Sequence, residues 1–262
     1  MFSVKKKIAS TFNRMGILDS KFHSVNNGKK NYIRVVNYHE TPECDSSSFV
    51  NQLVWFKDHF TPISQNDLYG FLDGQIEFDD KPGLLLTFDD GKANNYTTGK
   101  RFLEENGFWG LFFISSALIG HEGYMTWEQV VDLLGCGHGI GCHTATHHRM
   151  DASDSPDILE YEIMHSKKEI ENHTGYAINS FCWCGGEEEH YTKKAGNMIK
   201  KAGYSYSFLT NSQVVLPDTN HYMIERTNIE ADWSLSLVKF QLCGFMDNRF
   251  AGKRNRVESL LH

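Results

Sequence analysis

Gly83-Leu84-Leu85-Leu86-Thr87-Phe88-Asp89-Asp90-Gly91 is the stretch on which the reading of this chain turns. An apolar run that stops abruptly in Asp-Asp-Gly reads as a buried strand, which carries two acids to one end of a sheet and is followed by a turn. Successive side chains of a strand point to opposite sides, so the two acids are expected to face different things. One can bind a metal while the other meets water or substrate. Taken alone, the same residues also read as an acidic turn that caps a strand.

Outward from that segment, strand-like and helix-like runs alternate. A strand at 31–38 precedes a helical pattern over 46–60, and the strand at 83–89 precedes a helix at 97–106 that Gly107 stops. A strand at 111–114, a helix at 126–134, a short Gly-rich strand at 139–142 and a long helix at 156–173 follow. Strand 179–184, helix 189–202, strands 204–209 and 222–229 and helix 234–243 complete the series. Repeated β–α alternation implies a parallel sheet with helices outside it, as a barrel or as an open doubly wound sheet. His39, Asp89, Asp90 and His143 all fall at C-terminal strand ends, where both architectures place their sites.

The Gly-rich strand ends in His143-Thr144-Ala145-Thr146-His147-His148. Two imidazoles just after one strand, with a carboxylate from another strand end, make a two-His-one-carboxylate set. Such a set suits Zn²⁺ or a related first-row dication (Co, Mn, Ni or Fe) and leaves positions open for water and substrate.

Thr87-Phe88-Asp89-Asp90-Gly91 and His143-Thr144-Ala145-Thr146-His147, in that order, resemble the first two motifs of the NodB-type polysaccharide deacetylases, carbohydrate esterase family 4. The similarity runs from about Asn31 to Phe245. It implies a distorted barrel of about seven β/α units, with residues 31–262 as one catalytic domain. It also implies Asp89 as catalytic base, and Asp90, His143 and His147 as ligands of one divalent metal. The family's general acid is commonly a His in a C-terminal Leu-x-Ile-His, which this chain lacks. Ile33-Arg34-Val35-Val36-Asn37-Tyr38-His39 instead resembles the N-terminal Tyr-His element of a permuted branch, and this makes His39 the expected acid. The third motif departs more. Phe181-Cys182-Trp183-Cys184-Gly185-Gly186 has no Arg, and Cys184 stands where Pro is usual. Gly185 is the candidate backbone donor to an oxyanion, and Arg226 the candidate partner that keeps Asp89 ionised.

Composition restricts the partners and the compartment. The 262 residues, 40% hydrophobic, suffice for one large core, and the net charge of −7 argues against a nucleic-acid surface. Six cysteines at irregular spacing read as free thiols of a reducing cytoplasm rather than a disulfide framework. Cys182-x-Cys184 reads either as two residues sharing a packed strand face or as a metal pair. The start of the chain is basic but has no apolar stretch of secretory-signal length after it. Residues 1–30 form a basic segment of net +6, in which Val4, Ile8, Phe12, Met15 and Leu18 recur at helical spacing. That stripe is expected to pack on the barrel; the alternative is a helix lying on a membrane surface.

These residues define an expected reaction. A dication would polarise an N-acetyl carbonyl and acidify water, Asp89 would take the proton, and His39 would protonate the departing amine. Trp183, Tyr38, Trp109 and Tyr124 are candidates for stacking on sugar. A cytoplasmic enzyme would act on a lipid-linked or nucleotide-linked acylated amino sugar on the path to a surface glycan. Deformylation of an N-formyl sugar uses the same machinery. A non-catalytic, metal-containing glycan-binding barrel is the alternative from another class.

Overall fold

A computed structural model of the chain describes residues 2–26, 31–41 and 46–261. Lys29, Lys30, Cys44 and His262 lie outside the described residues. The strands are β1 (Ile33–Tyr38), β2 (Thr61–Pro62), β3 (Gly83–Phe88), β4 (Gly110–Ile114), β5 (Gly139–Cys142), β6 (Ser180–Cys182), β7 (Tyr206–Leu209), β8 (Val214–Val215), β9 (Ile224–Glu225) and β10 (Thr227–Asn228). They form one sheet in the order β10-β1-β3-β4-β5-β6-β7-β9, with every neighbouring pair on this path parallel. β9 and β10 are two halves of one extended segment broken at Arg226. The first half pairs with β7 (Leu209 opposite Glu225) and the second with β1 (Val36 opposite Thr227). That segment closes the sheet into a distorted (β/α)7 barrel. β2 and β8 patch the N-terminal rim beside β3 and β1.

Strand alternation sorts the side chains into two cores. Ile33, Val35, Leu85, Leu111, Phe113, Phe208 and Ile224 fill the barrel, while Val36, Leu84, Leu86, Phe88, Phe112 and Ile140 pack under the helices. Continued towards the C-terminal strand ends, the inward columns turn polar, from Val35 to Asn37, from Leu85 to Thr87 and Asp89, and from Ile224 to Arg226. Gly141 keeps the inward column of β5 open, since a Cβ there would come within 2.4 Å of the Phe113 ring.

The helices are α1 (Phe2–Arg14), α2 (Ile17–Asn26), α3 (Ser47–His59), α4 (Gln65–Leu72), α5 (Arg101–Asn106), α6 (Trp127–Gly135), α7 (Pro156–Leu159), α8 (Ser166–Thr174), α9 (Lys193–Lys201), α10 (Leu235–Leu242) and α11 (Phe245–Leu261). The sequence pattern did not reveal α4 or α11. α4 is only two turns long, although Ser64 and Asp67 form a capping box at its start. α11 fully buries only Val257, and six of its seventeen residues are charged, so it lacks a continuous periodic apolar face. It is anchored by Asp247, which accepts from both terminal nitrogens of buried Arg34 on β1 at 2.9 and 2.8 Å, and from Ser212 at 2.8 Å. Asp247→Ala would leave Arg34 charged, buried and unpaired. It is expected to cost about 3 kcal/mol or more, seen as a lowered Tm; an unchanged Tm would show that α11 is held otherwise.

The N-terminal stripe needs correction. α1 and α2 do dock on α10, but they bury Ala9, Leu18 and Phe22. Of the expected stripe, Leu18 is buried and Phe12 packs against the core, while Val4, Ile8 and Met15 face outward, because the buried face is centred on Ala9, small enough to let the helices approach.

Candidate active site

β3 ends at Phe88, so strand alternation does not separate the two acids. Asp89 continues the inward column, whereas Asp90 takes a left-handed backbone (φ 72°) and Gly91 another (φ 78°). This turn swings the Asp90 carboxylate back over the same cavity that Asp89 lines. A positive φ is costly for a residue other than glycine and persists only where the surroundings impose it. Thr144 (φ 61°) and His147 (φ 62°) in the second motif share this conformation.

Arg226 meets Asp89 in a bidentate pair, Nη1 to Oδ1 at 2.7 Å and Nη2 to Oδ2 at 2.8 Å. Arg226 Nη1 also donates to Thr87, Nη2 reaches Cys182 Sγ at 2.8 Å, and Asn37 Nδ2 donates to Asp89 Oδ2 at 3.0 Å. Both partners of the pair are buried. Burial by itself would raise the Asp89 carboxyl. The Arg226 guanidinium, with His143 and His39 nearby, outweighs it and holds the group well below the usual carboxylate range. These three N–H donors leave one of a carboxylate's roughly four acceptor positions, on Oδ1, which the Cys182 thiol approaches only at 3.9 Å.

Asp90 Oδ1 lies 3.6 Å from His143 Nε2 and 3.2 Å from His147 Nε2. It is buried and has no hydrogen-bond partner among the described residues. A tetrahedral dication with bonds of about 2.0–2.1 Å separates its ligand atoms by roughly 3.3–3.4 Å, and the two separations from this orphaned oxygen to the imidazole nitrogens suit one. Burial lowers the His143 pKa despite the nearby Asp89 and Asp90, which favours the neutral ring that a metal requires. His143 Nδ1 faces the Cys182 carbonyl at 3.0 Å, and this contact orients the ring. The thiols of Cys182 and Cys184 are free and buried; Cys184 Sγ approaches the imidazoles of His143 and His147, and Cys182 Sγ approaches Asp89 and His143.

His39 stands at the cavity wall with Nδ1 3.7 Å from Glu230 Oε1. The Glu230 carboxylate raises the His39 pKa to about 9 against the effect of burial, with Asp89 and Asp90 adding to the rise. Gly185 lines the cavity with φ 78°. A Cβ there would come within 3.0 Å of Glu187 and 3.3 Å of Arg149.

Three supporting residues carried no signal in the motifs. Glu230 follows the closing strand. Glu162, buried, accepts from the backbone of Ala145 and Thr146 at 2.9 Å each and from the Thr146 hydroxyl at 2.7 Å, and so pins the loop between the two histidines. Asn95 donates to the His39 carbonyl at 3.1 Å. Asn95 and Glu162 both sit in wide π-type turns, Asn95–Lys100 and Glu160–His165, a local form frequent at functional sites. Only the fold brings them to the motifs.

Other candidates fall away. Tyr38 is a core side chain that donates to Gln52; Trp183 is also buried and donates to Ser207, but it lines the cavity beside Gly185. Trp109 precedes β4, at the far end of the barrel from the cavity. Tyr124, half-buried, accepts from Lys92 beside the Asp90 turn. His148 is paired to Asp154 at 3.0 Å.

Residues 78–207 match the family model described as polysaccharide deacetylase. This chain carries a polysaccharide deacetylase domain. A Bacillus subtilis (strain 168) protein named as a polysaccharide deacetylase, YxkH, is 27% identical over 159 residues, which cover 60% of this chain and 56% of that relative. The match thus spans little more than half of the relative's length. Among solved structures, the deacetylase domain resembles the Streptococcus pyogenes deacetylase PplD in complex with acetate (TM-score 0.71, 17% identity, 82% of this chain and 99% of that one). It also resembles IcaB from Ammonifex degensii (TM-score 0.68, 19% identity, 82% and 97%). At these identities the likeness establishes the barrel fold alone.

Proposed function

We propose that this chain is a metal-dependent hydrolase that removes the N-acetyl group from an amino sugar. The observation that carries the reading is the convergence in one cavity of an Arg-paired carboxylate, an orphaned carboxylate oxygen flanked by two imidazoles, and a histidine held protonated by a glutamate. Asp90, His143 and His147 are the assigned ligands and zinc the assigned metal. When bound, the dication would polarise the amide carbonyl and acidify water.

Asp89, ionised and pointed into the cavity, accepts the proton of the attacking water. Arg226 positions Asp89 and keeps it charged. The backbone N–H of Gly185 is the assigned donor to the tetrahedral oxyanion. His39, the acid, passes its proton to the departing nitrogen, so the products are acetate and a free amino sugar. The cavity, about 370 Å³, is at the lower end of small-ligand sites and suits one acylated sugar residue. A lipid-linked or nucleotide-linked glycan precursor, or a polysaccharide, is the assigned substrate class. The test is zinc analysis coupled to acetate and formate release from a panel of N-acylated amino-sugar donors. Acetate release supports the reading, and a zinc-loaded protein inert on the whole panel overturns it.

The pH dependence follows from His39. Its pKa is raised, so the acid form persists from neutral pH up to about 9 and is lost above that. Any stability contributed by the His39–Glu230 pair is likewise complete below the ordinary histidine value near 6.5 and lost as pH rises through about 9. The alkaline limb of kcat/KM is expected near 9, and Glu230→Gln should move it down towards the ordinary value. An unmoved limb in that variant would remove His39 from the role of acid.

A further inference from the structure

Far from the catalytic cavity, α1 and the α10–α11 corner enclose an open groove of about 700 Å³. Phe12, Phe240, Phe245 and Met246 form its floor, and Val4 and Ile8 stand on its rim. Val4 is 59% and Ile8 40% exposed, and Met15, in the turn that follows α1, is 67% exposed. Three large apolar side chains left in water on one short segment are unusual for a surface with no partner.

The charges at the groove point to the partner. Among the described residues its lining contains two cations, Lys5 and Arg249, and no carboxylate. Lys5 donates to the neutral amide of Gln241 at 3.0 Å, and its pKa is lowered by burial and by the like charge of Arg249. Within residues 2–26 Lys5, Lys6, Lys7, Arg14 and Lys21 face a single acid, Asp19, in a chain whose net charge is −7. An anion at the rim would relieve the repulsion between Lys5 and Arg249, while an apolar chain would fill the aromatic floor. Both are supplied together by an acidic phospholipid bilayer.

We infer that this groove and its rim dock the protein on an anionic bilayer, with Val4, Ile8 and Met15 entering the headgroup boundary and Lys5 and Arg249 meeting acidic headgroups. The inference is independent of the catalytic assignment: an inactive protein can bind vesicles, and an active one can fail to.

The test is flotation of the full chain with phosphatidylcholine vesicles with and without phosphatidylserine. Binding is expected only to the phosphatidylserine vesicles, and weaker at high salt. Ile8→Asp, at an exposed position that the fold does not need, should weaken binding about tenfold or more, the effect of withdrawing one large apolar side chain from the boundary. Lys5→Glu with Arg249→Glu should do the same by reversing the rim charges. Val131→Asp, at an exposed apolar position on α6, should change nothing. Absent flotation, equal flotation with neutral vesicles, or unaltered binding by both groove variants would overturn the proposal. So would a concentration-dependent dimer abolished by Ile8→Asp, since a second copy would then be what covers the groove.

Discussion

Asp89→Asn is expected to lower kcat by a factor of roughly 10² to 10⁴ while the metal content stays at its wild-type level, the usual scale for removing a positioned base. The carboxylate is ionised, lines the cavity and is not among the assigned ligands, and Asn offers no negative charge to draw a proton from water. The substitution also leaves buried Arg226 without its counter-charge. A lowered Tm is therefore expected alongside, of the order seen when one partner of a buried pair is removed, about 3–5 kcal/mol. Kinetics are to be read well below that Tm, on protein whose circular dichroism matches the wild type. A folded, metal-replete variant with near wild-type kcat would show that the proton goes elsewhere.

His143→Ala is expected to abolish stoichiometric metal binding and, with it, activity. The ring is buried, its Nδ1 faces the Cys182 carbonyl, and its Nε2 faces Asp90 Oδ1, so the substitution removes a ligand that is already oriented. His147→Ala should weaken binding in the same direction but less, since His147 is partly exposed and water can take its place. His148→Ala is the control: its ring pairs with Asp154 outside the ligand set, so metal content should stay at the wild-type level. The measurement is metal-to-protein ratio after dialysis against a weak chelator. Full retention by both His143→Ala and His147→Ala would sink the ligand assignment.

The parallel β/α architecture and the two motifs were open to reading in one dimension because their signals are local, whereas the choice of a barrel over an open sheet came from the family resemblance. The apolar run of β3 and its stop at Asp89 are properties of consecutive residues, as are the Gly-rich β5 and the histidines after it. Alternation of strands with helices stated the layer architecture for the same reason. α4 and α11 escaped because one is two turns long and the other is held by the Arg34–Asp247 pair rather than by an apolar stripe.

What the amino-acid order alone determined, then, was which residue types arrive at the C-terminal ends of which strands. What only the tertiary structure decided was how they meet. Asp90 turns back to the cavity through a left-handed backbone that strand periodicity does not foresee. Arg226 reaches Asp89, 137 positions earlier in the chain, because the segment it interrupts closes the barrel between β7 and β1. Glu230 comes to His39, and Glu162 to the histidine loop, by the same closure of distant strands and the packing of a crossover helix. A periodicity reports which face a side chain takes, and long-range pairing in a closed sheet reports its partner; the second is absent from any window of sequence.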